Sequence, residues 1–380
     1  SHQILERVCK TSIELLERQV FPGWNISRSC NDNGTESKVG IPVDAAKFAS
    51  RLTLEVLGHV AFGYAFGGLQ QTTAGDQKSL YDGYTEMLGI VINRSMGVPH
   101  AWRFRRQQNA TFDESSKRLD SLIMDVVQKR LGEQVETDKR AESVGSANNT
   151  KDLLDYLVQK DDDGNRLELD QIFGNVRMFF FAGHDTTAGT LANALWHLAS
   201  HPDKQKRLHT EVDEMYENLA ESAPKVKQLN QLSYLDAVVR ESLRLYSPGA
   251  MARTSTEPIT VKGRNGRTYH LPANTHMYVM PFMSHMCDQY WENAKSFQPE
   301  RFLDERNKLK KQDDWFPFSV GPRNCVGQPM AMIELKCLLS HILRHFSVRP
   351  QHGVDSVVHT MLLTIKPVEV PIVVEPRRQR

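Results

Sequence analysis

Residues 315–329 read Trp315-Phe316-Pro317-Phe318-Ser319-Val320-Gly321-Pro322-Arg323-Asn324-Cys325-Val326-Gly327-Gln328-Pro329. A cysteine stands in a loop between two glycines, and the apolar-periodic run Met330 to Leu339 behind it predicts a helix. A sulfur just ahead of a helix N-terminus meets free backbone N–H donors, which with the helix dipole favour a thiolate. Gly321 and Gly327 let the backbone turn sharply and approach a flat ligand that a Cβ would obstruct. Arg323 can reach an anionic edge of that ligand, and Phe318 can lid the sulfur from water. The bland alternative is a buried structural cysteine in a glycine-rich loop. A thiolate, a flat partner and an anionic edge describe haem held by cysteine.

The bulk properties narrow the field. With 380 residues and 40% hydrophobic content, the chain can bury a substantial core. Its 47 basic and 46 acidic residues nearly cancel, so nothing advertises nucleic acid. The five cysteines, Cys9, Cys30, Cys287, Cys325 and Cys337, are odd in number, far apart and without C-x-x-C spacing, which argues against a disulfide framework or a zinc site. No run of about 18 apolar residues occurs, so no membrane span is expected in this chain.

Outward from the cysteine loop, the second chemical centre is a long apolar stretch that Asp170 is expected to cap and that His201-Pro202 ends. About 30 residues at 1.5 Å each give a helix of roughly 45 Å. In its middle stands the polar knot Ala182-Gly183-His184-Asp185-Thr186-Thr187, expected to bend the helix locally. A second helix is expected from Pro42, capped by Asp44 and ending at the glycines of Ala61 to Gly68. Ser1–Val20, Leu80–Arg94 and Phe112–Leu131 also read as helices. Gly132–Lys151 and Asp304–Asp314 read as polar connectors, and the aromatic and basic cluster Trp102-Arg103-Phe104-Arg105-Arg106 as a short solvated connector or, alternatively, a contact for nucleic acid or a membrane surface. On a helix ended by Pro248, Glu241 and Arg244 fall on one face and can pair. Short strands follow at 250–253, 259–261, 268–271, 275–280 and 358–365. The class is mainly α with a small β portion.

The pattern Phe318-x-x-Gly321-x-Arg323-x-Cys325-x-Gly327 resembles the signature of the cytochrome P-450 family of haem-thiolate monooxygenases. The A-G-x-D-T stretch at Ala182–Thr186, the E-x-x-R pair Glu241/Arg244 and Pro299-Glu300-Arg301-Phe302 match further family motifs in family order. The resemblance implies a single P-450 domain over 1–380 and haem b with Cys325 as the axial iron ligand. It gives Arg323 and Arg253 to the haem propionates and a buried triad to Glu241, Arg244 and Arg301. Ala182 and Gly183 would line the oxygen-binding face, Thr186 would hydrogen-bond the bound oxygen, and Asp185 would feed protons. A substrate pocket of Phe180, Phe181, Ala250, Met251, Leu362 and Leu363 is apolar, which fits a hydrophobic, fatty-acid-like substrate.

The implied reaction is insertion of one oxygen atom of O₂, with electrons from NADPH through a reductase. The implied place is the cytosolic face of the endoplasmic reticulum membrane for the full-length protein. Family members carry a membrane anchor, the first strands and a propionate-binding helix ahead of what begins here at Ser1, so an N-terminally truncated P-450 fold is expected. Two other readings stay open: a haem-poor chain without catalysis, and a reductase-independent isomerase or peroxygenase. The intact Asp185-Thr186 pair argues against the second.

Overall fold

The computed structural model describes residues 2–24, 29–30, 36–37, 40–67, 69, 90, 106–141, 151–161, 163–219, 223–263, 265–303, 314–361 and 364–377. Helix α1 (His2–Leu15) buries Val8, Cys9, Ile13 and Leu15 and passes into a π turn, Leu16–Val20. Strands β1 (Ser29–Cys30) and β2 (Glu36–Ser37) pair antiparallel, and β3 (Ile41–Asp44) precedes α2 (Ala45–Leu57). Pro42, expected to open that helix, therefore lies in a strand. Pairing with the last strand of the chain holds those residues extended, and the helix waits for its cap. The Asp44 carboxylate accepts from the Ala46 N–H at 3.0 Å and also from the Val370 N–H at 3.0 Å.

Helix α3 (Arg106–Ala141) is longer than the sequence indicates, running straight through Gly132 into the expected connector. One glycine costs a helix about 1 kcal/mol, too little to stop 36 residues. The short α4 (Leu153–Val158) has a reciprocal capping box between Asp152 and Asp155. The expected helix at 80–94, except Ile90, lies outside the described residues, as do 102–105 of the basic cluster and 304–313 of the charged loop.

The long helix α5 (Leu169–Ser200) is capped by Glu168 with Gln171, two residues earlier than Asp170, which sits in the first turn. It runs without interruption through the polar knot. Thr186, Thr187 and Thr190 each donate their hydroxyl to the carbonyl four residues back. Gly183 has a packing reason: a Cβ there would come within 2.9 Å of Leu57 Cδ1 on α2. The C-terminal half of α5 joins the main core through Leu191, Leu195 and Leu198. Its N-terminal half joins a second cluster, with α3 and α4, through Ile172, Val176 and Phe180.

Helices α6 (Pro202–Glu217), α7 (Val226–Leu229) and α8 (Ser233–Leu245) follow. Strand β4 (Met251–Thr254) then pairs antiparallel with β7 (His276–Val279), and between them β5 (Ile259–Lys262) pairs with β6 (Thr268–Leu271). After α9 (Pro281–His285), helix α10 (Gln328–His345) leaves the cysteine loop and runs into β8 (Phe346–Pro350). Strands β9 (His359–Met361) and β10 (Ile365–Pro367) form a hairpin, and β11 (Pro371–Pro376) closes an antiparallel sheet in the order β3-β11-β8. The described fold is mainly helical with small sheets.

On α8, Glu241 and Arg244 are both fully buried. Glu241 accepts from Arg244 Nε at 2.7 Å and Nη2 at 2.9 Å, and from Arg301 Nε at 3.1 Å. The remaining guanidinium donors go to carbonyls: Arg244 to His285 and Ala294, Arg301 to Glu292 and Asn293. Removing one partner of a buried ion pair strands the others, at about 3–5 kcal/mol. Thermal unfolding of Glu241→Ala should show a loss of that size and a low folded yield. Melting like the parent chain would mean that the guanidiniums find solvent.

Candidate active site

Helix α5 and the cysteine loop both line a cavity of about 270 Å³. The helical period of 3.6 puts Ala182, Gly183, Thr186 and Thr187 on one face of α5, and all four reach the wall. Pro248, Gly249, Ala250 and Met251, at the start of β4, add an apolar side. The loop adds Phe318, Arg323, Cys325 and Gly327, and α10 adds Met330, Ala331 and Glu334.

The loop is closed by the Cys325 N–H, which donates to the Phe318 carbonyl at 2.9 Å. Ser319 (φ 65°) and Gly321 (φ 78°) supply the left-handed backbone that this turn needs. Gly321 is absent from the cavity wall, and a Cβ on it would meet nothing within 4 Å. Its glycine answers to backbone conformation, not to the close ligand approach expected of it. Gly327 does lie on the wall, with its Cβ position 3.8 Å from Cys325 Sγ. Cys325 itself is free and exposed.

Support for the loop comes from a residue that the sequence reading missed. His285, whose carbonyl holds Arg244, accepts at Nε2 from the Phe316 N–H at 3.3 Å, while its Nδ1 lies 2.9 Å from Ser247 Oγ. Burial, with the Arg244 charge beside it, pushes the His285 imidazole down to about 4, so it is neutral near pH 7. The buried triad thus reaches the cysteine loop through one imidazole. Trp315 adds a second tie, donating from Nε1 to the Arg240 carbonyl at 3.2 Å.

Several candidate residues stand elsewhere. Asp185 is buried and absent from the cavity wall: it accepts from Thr364 Oγ1 at 2.7 Å and from Lys366 Nζ at 2.5 Å on the β9–β10 side. One residue is about 100° of helix, enough to send Thr186 and Asp185 into different surroundings. Phe180 is fully buried in the second cluster, edge-on to Phe66 and His184, and Phe181 packs against the same cluster. Neither lines the cavity, because both rings are taken up by that cluster. Arg253 is exposed on β4 and donates to the Ala252 carbonyl at 2.8 Å, away from the wall. Leu362 and Leu363 lie outside the described residues.

Glu334 is a second feature that the sequence reading passed over, although a lone carboxylate in the run Met332-Ile333-Glu334-Leu335 was a visible signal. It is buried on the wall, its Oε1 has no hydrogen-bond partner among the described residues, and burial pushes its carboxyl up to about 8. A free thiol facing a mostly apolar cavity, a guanidinium at its edge and a small-residue helix face fit haem held by sulfur. Glu334 also sets a pH test. With its folded pKa above the ordinary 4.5, the folded state binds the extra proton. Its stabilising contribution is full below pH 4.5 and is lost as pH rises toward about 8. Melting curves of Glu334→Gln and the parent should therefore diverge across that window, the variant gaining as pH rises; parallel curves would mean an ionised, solvated Glu334.

The comparisons with known proteins agree with this geometry. The family model described as Cytochrome P450 matches residues 17–372. The chain is similar to Cytochrome P450 4V2 of Homo sapiens, 35% identical over 64% of this chain and 47% of the relative, so it spans about half of that protein's length. It is also similar to Probable cytochrome P450 4d20 of Drosophila melanogaster, 29% identical over 92% of this chain and 68% of the relative. Among solved structures, the heme domain of a cytochrome P450DA mutant has the same fold: TM-score 0.80, 21% identity, covering 100% of this chain and 75% of that one. With the family match running from the π turn after α1 into the last strand, the chain belongs to the cytochrome P450 family.

Proposed function

We propose that this chain carries the catalytic centre of a haem-thiolate monooxygenase. It would insert one oxygen atom of O₂ into a hydrophobic, fatty-acid-like substrate, using electrons from NADPH passed on by a reductase. The observation that carries this reading is the exposed Cys325 sulfur on an apolar cavity that also has the Ala182–Thr187 face of α5 as a wall. The full-length protein would act at the cytosolic face of the endoplasmic reticulum membrane. Among the described residues no helix is long and apolar enough to cross a membrane.

Haem, when bound, supplies the oxygen activation, with electron density from the thiolate favouring O–O cleavage. Cys325 Sγ would hold the iron, and Arg323 at the wall would pair with a propionate. Arg253 is a second guanidinium for that role once it releases the Ala252 carbonyl. Phe318 excludes water on the sulfur side. Thr186 holds a hydroxyl at the wall whose proton rests on the Ala182 carbonyl at 3.0 Å, which leaves oxygen lone pairs for a partner in the cavity. Asp185 must exchange Lys366 and Thr364 for other partners before it can pass a proton toward that hydroxyl. Ala250, Met251 and Ala182 give a hydrocarbon substrate its apolar surface.

Reduced, CO-bound protein should show the strongly red-shifted Soret band of thiolate-ligated haem, and Cys325→Ala should lose it. An unchanged spectrum in the variant would take Cys325 out of the site. In the full-length protein with its reductase, Thr186→Ala should still consume NADPH but divert it to peroxide, lowering product per NADPH. A yield equal to that of the parent would leave Thr186 with helix back-bonding as its whole role.

A further inference from the structure

Far along α10 from the cysteine loop, His341 and His345 stand four residues apart and so share one helix face. The π turn Leu16–Val20 brings Glu17 against them. Glu17 Oε1 lies 2.8 Å from His341 Nε2 and 3.6 Å from His345 Nε2. All three ligand atoms fall within 4.8 Å of one another. Zinc binds imidazole nitrogen and carboxylate oxygen at about 2.0–2.2 Å, and a tetrahedron with those bonds spaces its ligand atoms by about 3.3–3.5 Å. The three atoms already straddle that spacing.

The surroundings of the cluster point the same way. His341 is buried, and its other ring nitrogen, Nδ1, lies 3.0 Å from Tyr216 Oη. An outer partner of this kind fixes which nitrogen is left for a metal. Phe21 stacks on the His341 ring at 5.5 Å and leans on His345 at 5.2 Å, which fixes both ring planes. The Glu17 side chain is 47% exposed, so an ion has a way in and water a coordination position. Two imidazoles and one carboxylate, with no thiolate, suit zinc better than calcium or magnesium, which take oxygen ligands.

We propose that Glu17, His341 and His345 form a zinc site that fastens α1 to the far end of the cysteine-loop helix. On binding, the single N–H of the neutral His341 ring passes from Nε2, where it faces Glu17, to Nδ1, where it donates to Tyr216 Oη, and the freed Nε2 lone pair takes the ion. A plain hydrogen-bonded histidine–glutamate pair is the competing account, and nothing in the site depends on haem.

Zinc chloride titrated calorimetrically into the EDTA-stripped chain tests the assignment, with a repeat on Cys325→Ser to keep that thiol out of the measurement. The expected result is one zinc per chain in both proteins, with a higher melting temperature when zinc is present. Glu17→Gln and His345→Gln alter partly exposed positions and should keep the parent's circular dichroism in EDTA. Each should weaken zinc binding at least ten-fold. Cobalt in place of zinc should give the visible bands of a tetrahedral site in the parent and lose them in both variants. Zinc binding that survives both substitutions, or no binding in the parent, overturns the proposal in favour of the hydrogen-bonded pair.

Discussion

The carboxylate of Glu241 has no exposure to water, and the molecule around it is arranged to make that tolerable. A buried charge without partners costs many kcal/mol, so two guanidiniums close on it from α8 and from the turn at Pro299–Phe302. The Gln298 N–H donates to the same carboxylate at 2.8 Å. Each guanidinium then has donors left over, and these go to carbonyls in 285–296, a stretch with little regular structure. Backbone acceptors that lack a helix or sheet partner need another source, and here the charged cluster supplies it. One solution to a desolvation problem therefore orders a long irregular segment. His285 hands that order on to the backbone of the cysteine loop.

Helix α5 meets a different demand on each face. Toward α2 it needs close approach, met by Gly183 against Leu57 and by Thr53 donating to the His184 carbonyl at 3.1 Å. Toward the C-terminal hairpin it offers Asp185 to Lys366, and Asn193 to His359 at 2.7 Å. Toward the cavity it shows two small residues and two threonines. Asp185 and Asn193 are thus matched to partners on the hairpin, the threonines bond carbonyls of their own helix, and the hydrogen-bond ladder runs through them. The carboxylate to which the proposed function gives proton delivery is thus also a packing partner of the hairpin, through its salt bridge with Lys366 on β10.

Helix α10 links the two ends of this design. It begins three residues beyond Cys325 and ends with the histidine pair beside Glu17. Between them it buries groups that an apolar helix would not carry. Lys336 is paired with Asp236 at 2.7 Å, the Cys337 thiol donates to the Cys9 carbonyl, and Glu334 faces the cavity. The first two tie the helix sideways to α8 and α1, so the cysteine loop starts from a scaffold fixed beyond the cavity.

The sequence by itself determined the kind of fold and the centre of the site. The cysteine-loop pattern, the long apolar helix with its polar knot and the two charge motifs are local signals, each legible from spacing within a few residues. Element ends were less legible where a distant partner intervened: β11 keeps Pro42 extended, and α3 runs on through Gly132. Only the tertiary structure decided which way each knot residue points. Adjacent positions differ by about 100°, and what Asp185 meets is Lys366, 181 residues away. The same holds for Phe180, whose ring belongs to the second core cluster, and for His285, whose link to the loop joins residues 31 apart. The Glu17, His341 and His345 cluster depends on a contact across 324 residues. No local pattern encodes such separations, because a side chain's partners are chosen by packing that the whole chain settles at once.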